Sequence, residues 1–166
     1  MKKIIPFVFL MLVFCTAFAQ SKSYKMYDVF SGRDGITDFG FSKSMVDALD
    51  INFDDSDGER NVKGDLTEIR FMSYNPEKGD LSGDEFLKKA IGYLPKSAYK
   101  KYDDGDTEDD DAEIWLLGKG KKYRECHVFI NNENKDGLRF VVSFYGDFKV
   151  EDIDNLKDAG RGFSDD

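Results

Sequence analysis

Three segments near the C-terminus, residues 113–118, 123–131 and 138–145, constrain the fold more than any other part of this sequence. Within each segment the side chains follow the period-two alternation of a β-strand. The connections between them are short, and they are rich in glycine, asparagine and lysine. Such connections favour hairpins. The sequence therefore predicts an antiparallel three-strand meander.

Both faces of the predicted meander are apolar. One face receives Ile114, Leu116, Cys126, Val128, Ile130, Phe140, Val142 and Phe144, and the other receives Trp115, Leu117, His127, Phe129, Val141 and Tyr145. A sheet that is covered on one side only normally carries polar residues on the other. The second face is therefore covered by another segment of the chain, exposed without function, or a surface for a protein partner or a second copy. The last of these is our working hypothesis for function.

Hydrophobic spacing in the rest of the chain predicts short helices and single strands. Helices are expected around 24–30, from Ser42 or Ser44 to about 51, from the N-cap Ser82 to Pro95, as a turn over 98–102, and over 150–156; strands are expected at 36–42 and 66–74. The last residues, 161–166, are expected to fray. Two acidic segments, 52–65 and 103–111, are predicted to be loops.

Together these elements predict one α+β domain over residues 20–166. Its sheet is expected to be mostly antiparallel, with about five strands and with helices packed on one face. The C-terminal meander and a short helix complete the domain.

The first 19 residues have the organisation of a signal peptide. Lys2 and Lys3 precede an apolar run over 4–14, and Ala17-Phe18-Ala19 has the small-x-small pattern that signal peptidase cuts. The apolar run is too short to cross a hydrocarbon core, which needs about 20 residues. The sequence therefore predicts export, with a mature chain that begins at Gln20 and has no transmembrane anchor. The periplasm is the expected location, with secretion, or lipid anchoring at Cys15, as alternatives.

The composition of the mature chain excludes several classes of function. Removing Lys2 and Lys3 leaves 22 basic and 33 acidic residues, a net charge of −11. Such a surface repels nucleic acid and anionic lipid, so no nucleic-acid partner is expected. Cys126 is then the only cysteine, which excludes an internal disulfide.

No catalytic, metal or cofactor site is predicted. His127 is the only histidine, and neighbouring residues of a strand point to opposite faces, so it does not pair with Cys126. A nucleophilic triad would have to be built on His127 itself. Neither acidic segment has the register of an EF-hand. The basic stretch 118–122 is interpreted as a charged hairpin turn.

Several phrases of the sequence resemble a known family. They are residues 36–45 (ITDFGFSKSM), 66–70 (LTEIR) and 140–148 (FVVSFYGDF), followed by Glu151-Asp152-Ile153. With the leader, they resemble a family of exported Bacteroidetes proteins catalogued as domain of unknown function 4252. The resemblance implies a compact α+β domain and an envelope setting in a Gram-negative cell. It implies no activity.

The functional expectation is a non-enzymatic envelope protein that binds a protein partner or forms a homo-oligomer. The partner face would be the apolar set Trp115, Leu117, His127, Phe129, Val141 and Tyr145. One alternative is an envelope hydrolase that relies on carboxylates for acid-base chemistry. Another is a structural component that depends on calcium or on charge.

Overall fold

The computed structural model describes residues 22–49, 53–55, 58–60, 65–103, 111–131 and 137–165. The predicted signal peptide and most of the acidic segment 103–111 lie outside the described residues. In the acidic segment 52–65 the structure has two short strands at 53–55 and 58–60, where the sequence predicts a loop.

The described residues form four α-helices and eight strands. The helices are α1 (Tyr24–Phe30), α2 (Lys43–Leu49), α3 (Gly83–Gly92) and α4 (Ile153–Asp165); the strands are β1 (Ile36–Ser42), β2 (Phe53–Asp55), β3 (Gly58–Arg60), β4 (Asp65–Tyr74), β5 (Tyr99–Tyr102), β6 (Ala112–Lys119), β7 (Lys122–Asn131) and β8 (Arg139–Lys149). A single turn of 3-10 helix, Val150–Asp152, precedes α4.

Six of these strands make one antiparallel sheet in the order β1-β4-β8-β7-β6-β5. The strands β2 and β3 pair separately. The predicted meander is confirmed as β6, β7 and β8, with Ile114 opposite Val128 and Val128 opposite Val142. The fold is therefore one α+β domain, as predicted.

Helices cover both faces of this sheet, whereas the sequence predicts helices on one face only. On the first face, Ile153, Leu156 and Ala159 of α4 pack against the apolar side chains that include Cys126 and Phe144. On the second face, α1 and α3 pack against Met72, Trp115, Phe129 and Val141. The one-sided prediction fails because a two-sided apolar sheet must lose water from both faces to be stable in solution.

The number of strands and the length of the last helix also differ from the prediction. Residues 99–102, predicted as a helical turn, form the edge strand β5, in which Tyr99 pairs with Leu117. The last helix extends to Asp165, where the sequence predicts a short helix and a frayed end. Arg161 contributes to this order, since its Nη2 donates a hydrogen bond to Asp111.

The start of α3 is set by its sequence. The hydroxyl of Ser82 accepts a hydrogen bond from the backbone N–H of Glu85, and the Glu85 carboxylate accepts one from the backbone N–H of Ser82. This reciprocal capping box satisfies amide groups that the first helical turn leaves without partners. It fixes the position of Phe86 and Ala90, which are fully buried on the second face.

No helix within the described residues has the length and the apolar character needed to cross a membrane.

Candidate functional site

Five of the six residues of the predicted partner face lie in the interior of the domain, and Leu117 lies at its margin. The exposed fraction is 0% for His127 and Val141, 1% for Phe129, 6% for Tyr145 and 8% for Trp115, and Leu117 is half-buried. The helices α1 and α3 cover them. Coverage from within the chain, one of the alternatives left open by the sequence, is what the structure has. The prediction of an exposed partner face is wrong.

Three polar side chains lie in this apolar interior, and they form a chain of hydrogen bonds. His127 Nε2 lies 3.1 Å from Glu125 Oε2, and His127 Nδ1 lies 2.7 Å from Ser143 Oγ. Glu125 and His127 are two residues apart on β7, and Ser143 is directly opposite His127 on β8. With Glu125 ionised, Nε2 donates to the carboxylate, and Nδ1 accepts from the serine hydroxyl.

Residues of α1 and β5 complete the hydrogen bonds of this cluster. The Glu125 Oε2 atom accepts from the hydroxyls of Ser23 and Tyr99, each at 2.8 Å. The Tyr27 hydroxyl lies 2.7 Å from Ser143 Oγ, and the Tyr145 hydroxyl lies 3.0 Å from Ser23 Oγ. A buried carboxylate is costly unless it is well hydrogen-bonded. We call this set, Ser23, Tyr27, Tyr99, Glu125, His127, Ser143 and Tyr145, the buried polar cluster.

At the rim of the cluster, α1 makes further polar contacts with β4. The Tyr24 hydroxyl donates a short hydrogen bond to Glu68. The Arg70 guanidinium lies over the rings of Tyr24 and Tyr27, at 5.1 and 4.4 Å from their centroids. Cation-π contacts of this geometry stabilise a side chain that is partly out of water. The helix α1 is therefore attached to the sheet by polar contacts as well as by apolar ones.

Burial shifts the ionisation of the tyrosines in and beside the cluster. Desolvation raises the pKa of Tyr27 and Tyr145 above the ordinary range of a phenol. Desolvation, followed by the hydrogen bond to Glu68, raises the pKa of Tyr24. Each phenol therefore stays protonated, and able to donate, at every pH at which the protein is expected to function.

The connectivity of Ser143, His127 and Glu125 is that of a nucleophile, a base and an acid. In this structure Ser143 and His127 are both 0% exposed, so neither side chain is in contact with solvent. The Ser143 oxygen also accepts a hydrogen bond from the Tyr27 hydroxyl at 2.7 Å. In this structure, the hydrogen bonds of the cluster attach α1 to the sheet.

Sequence reasoning named only His127 and Tyr145 of this cluster, and on β7 and β8 it missed Glu125 and Ser143. Both follow the alternation that placed His127 on the second face, since Glu125 precedes it by two residues and Ser143 lies between Val141 and Tyr145. A polar residue that alternates in step with the apolar residues of the second face would have indicated that Glu125 and Ser143 point into it. Cys126 points to the other face and is fully buried, as predicted, and its burial raises the pKa of the thiol.

A different kind of site lies on the surface at the hairpin end of β6 and β7. The hairpin closes through Gly120 and Lys121, with Gly120 at φ +69°, a conformation that two-residue loops between strands require. Lys119 pairs with Lys122 across this hairpin, and Lys122 pairs with Lys149 of β8. Directly opposite residues project from the same face of a sheet. Three lysines therefore lie side by side across three strands.

The row of lysines borders a cavity of about 760 Å³, which is lined by Leu117, Gly118, Lys119, Lys122, Arg124, Asp147, Phe148 and Lys149. A register shift between Tyr123 and Glu125 places Arg124 at a bulge, and bulges re-aim side chains at the ends of sheets. We call Lys119, Lys122, Arg124 and Lys149 the basic end. All four are exposed.

A second cavity, of about 640 Å³, lies between α3 and the ends of β6 and β7. Its lining includes the carboxylates Asp84, Asp111 and Glu113. Each has a cationic partner in the fold: Arg139 for Asp84, Arg161 for Asp111 and Lys101 for Glu113. The carboxylates of this cavity are therefore paired with cations, and Lys88 and Lys96 also line it. Among the described residues there is no group of three or more histidine, cysteine, aspartate and glutamate side chains placed to hold a metal ion.

The protein is a small α+β domain. Its interior contains the buried polar cluster, and the basic end lies at one end of its sheet. A family model, the domain of unknown function DUF4252, matches residues 27–156. The chain belongs to this family, which confirms the resemblance seen in its sequence. Comparison with curated proteins and with solved structures gave no significant match.

Proposed function

We propose that the mature chain is an exported, non-enzymatic protein of the cell envelope that acts by binding. One observation carries the proposal. The only histidine of the chain has both ring nitrogens within hydrogen-bonding distance of buried partners, and it is 0% exposed. A group that must exchange protons with a substrate has to reach that substrate. His127 is engaged in holding α1 on the sheet.

The binding surface in this proposal is on the outside of the domain. The apolar face of the meander is not part of it, because α1 and α3 already cover that face. The basic end is the strongest remaining candidate, since it combines a cavity with four cationic side chains. Surfaces that bind are normally concave or carry charge that their partner complements.

Labelling with a fluorophosphonate, which reacts with activated serines, tests the non-enzymatic part of the proposal. We expect the mature chain to remain unlabelled while a serine esterase in the same sample is labelled. The matched control is Ser143→Ala, with its fold checked by circular dichroism. Labelling that is present in the wild type and absent in Ser143→Ala would show an active nucleophile and would overturn the proposal.

The Ser143-His127-Glu125 connectivity favours one second candidate, a serine hydrolase that is active only when α1 leaves the sheet. Tyr27→Phe removes the hydroxyl that occupies the Ser143 oxygen, and it leaves the aromatic packing of α1 in place. On this second hypothesis, Tyr27→Phe would label faster than the wild type. On the proposed function, both remain unlabelled.

A further inference from the structure

The basic end contains a charge arrangement that the fold itself does not explain. Side chains directly opposite each other on paired strands interact closely, and like charges there are destabilising. The structure repeats this unfavourable pairing, at Lys119 with Lys122 and at Lys122 with Lys149. The chain has 33 acidic residues, yet none of them lies between the lysines of this row.

Within the described residues, no member of the basic end forms an ion pair. Four cationic side chains line the cavity, and Asp147 is the only carboxylate among its lining residues. Elsewhere on the surface, Lys43 pairs with Asp65 at 2.7 Å and Lys101 with Glu113 at 3.3 Å. The basic end is thus a local reversal of charge on a protein whose formal net charge is −9.

We infer that the basic end is a binding site for a phosphate-bearing ligand. The inference rests on the proposed binding function and names the chemistry of its ligand. Adjacent strands lie about 4.8 Å apart, so the three lysines of the row extend over about 10 Å. A phosphate monoester carries about −1.5 to −2 charges and three acceptor oxygens. One or two such groups neutralise a row of this length, whereas a single carboxylate does not.

Arg124 adds a preference for phosphate within this site. A guanidinium presents parallel N–H donors that match two oxygens of one phosphate, whereas an ammonium acts as a point charge. The bulge in β7, where Arg124 is the extra residue in the pairing with β6, brings Arg124 to the same cavity as the three lysines. Gly118 lines the same cavity, and a Cβ there would lie 2.4 Å from the backbone oxygen of Lys122. Any larger residue would push the two strands apart at the site.

The phosphate could come from a soluble ester or from a lipid headgroup, and two probes separate these sources. The first is inorganic pyrophosphate, measured by titration calorimetry with the mature chain. The second is co-sedimentation with phosphatidylcholine vesicles that do or do not contain phosphatidic acid. Both are measured at about 0.15 M salt, where exposed charges are screened beyond about 8 Å.

The test variant is Lys122→Gln combined with Lys149→Gln, which removes two neighbouring charges of the row. The matched control is Lys25→Gln combined with Lys100→Gln, two exposed lysines outside the cavity that give the same change in net charge. We expect the test variant to bind the effective probe about tenfold more weakly or worse, and the control to bind it like the wild type. In the absence of a probe, the test variant should unfold at the wild-type temperature or above it, because it relieves repulsion.

Binding of pyrophosphate that only the test variant loses supports a soluble phosphate ligand, and the same result with phosphatidic acid vesicles supports a lipid headgroup. The inference is overturned if neither probe binds, if both variants lose binding equally, or if polyglutamate binds as tightly as the phosphate probe. None of those results changes the outcome of the serine-labelling experiment. The ligand assignment and the proposed function are therefore tested independently.

Discussion

The two faces of the sheet differ in the side chains that they bury. The core of the first face, under α4, consists of apolar side chains and the thiol of Cys126. The second face, under α1 and α3, also buries Glu125, His127 and Ser143. Apolar contacts are non-directional, and α4 combines the apolar area that it buries with a hydrogen bond from Arg161 to Asp111. The helix α1 has only seven residues, too few for a stable helix on its own. Hydrogen bonds from Ser23 to Glu125 and from Tyr27 to Ser143 give α1 one defined position. The comparison suggests that the first face supplies stability and the second specifies which segment covers it.

The largest expected effect is the loss of an aromatic ring from the first face. Phe144 is 0% exposed, and truncation to alanine should lower the free energy of unfolding by about 3–5 kcal/mol. Phe129→Ala, at 1% exposure on the second face, should cost a similar amount, because ring truncation depends on burial and not on nearby polar groups. Urea denaturation at neutral pH measures both. A loss under about 1 kcal/mol at Phe144 would contradict the packed interior described here.

Removal of the central acceptor of the buried polar cluster is expected to have the next largest effect. Glu125→Leu leaves the donors of Ser23, Tyr99 and His127 without their common partner, and should cost about 2–3 kcal/mol. Glu125→Gln keeps a carbonyl oxygen in the same place and should cost less. Urea denaturation compares the two. Equal stability of Glu125→Leu and wild type would mean that the cluster contributes nothing to holding the second face together.

Features that depend on neighbours in sequence were predictable. The period-two alternation of the predicted strand 66–74 puts Ile69 and Phe71 on one face and Met72 and Tyr74 on the other, and the two cores have this arrangement. The N-cap at Ser82 was likewise predictable, because Glu85 follows it at the three-residue spacing of a capping box. By contrast, Ala98, Tyr99 and Tyr102 have helical spacing but belong to or border an edge strand. A four-residue strand is too short for its periodicity to be recognised.

Features that depend on long-range pairing were not predictable. The sequence indicated that the meander had two apolar faces, but nothing in it decided whether a helix or a partner covers the second. Glu125 meets Ser23, which is 102 residues away, only after α1 has folded onto the sheet. Lys149 joins Lys122 only through the register of β7 and β8, which contains a bulge. Ser23 and Lys149 were therefore not connected with their partners, because each lies far from them in sequence.

Alkaline pH should weaken the second face through its tyrosines. Burial raises the pKa of Tyr27 and Tyr145 in the folded state, so the folded protein favours the protonated phenols. The stability linked to them is fully present below the ordinary phenol pKa of about 10, and it is lost as the pH rises above that value. At about pH 11 the loss should be about 1 kcal/mol for each buried tyrosine.

Urea denaturation at neutral pH and at about pH 11 measures this loss. Tyr27→Phe, which has no ionisable group at that position, should lose about 1 kcal/mol less than the wild type between the two pH values. Absorbance of the phenolate should rise in step with unfolding for the buried tyrosines. Full ionisation of all eight tyrosines in the folded protein would show that the second face is open to water.

The smallest expected effect is that of Glu125→Leu on the reactivity of Cys126. This cysteine adjoins His127 in sequence but lies on the first face. Burial raises the pKa of its thiol, and no charged partner is among the causes of the shift. Only the thiolate reacts with aromatic disulfide reagents, so the folded mature chain should react negligibly at about pH 8 and should release one equivalent of thiol after unfolding in urea. Glu125→Leu disturbs the opposite face, so it should leave this protection largely unchanged until the domain unfolds. Rapid labelling of Cys126 in folded Glu125→Leu would show that the two faces open together, because loosening α1 would then have exposed a residue on the far side of the sheet.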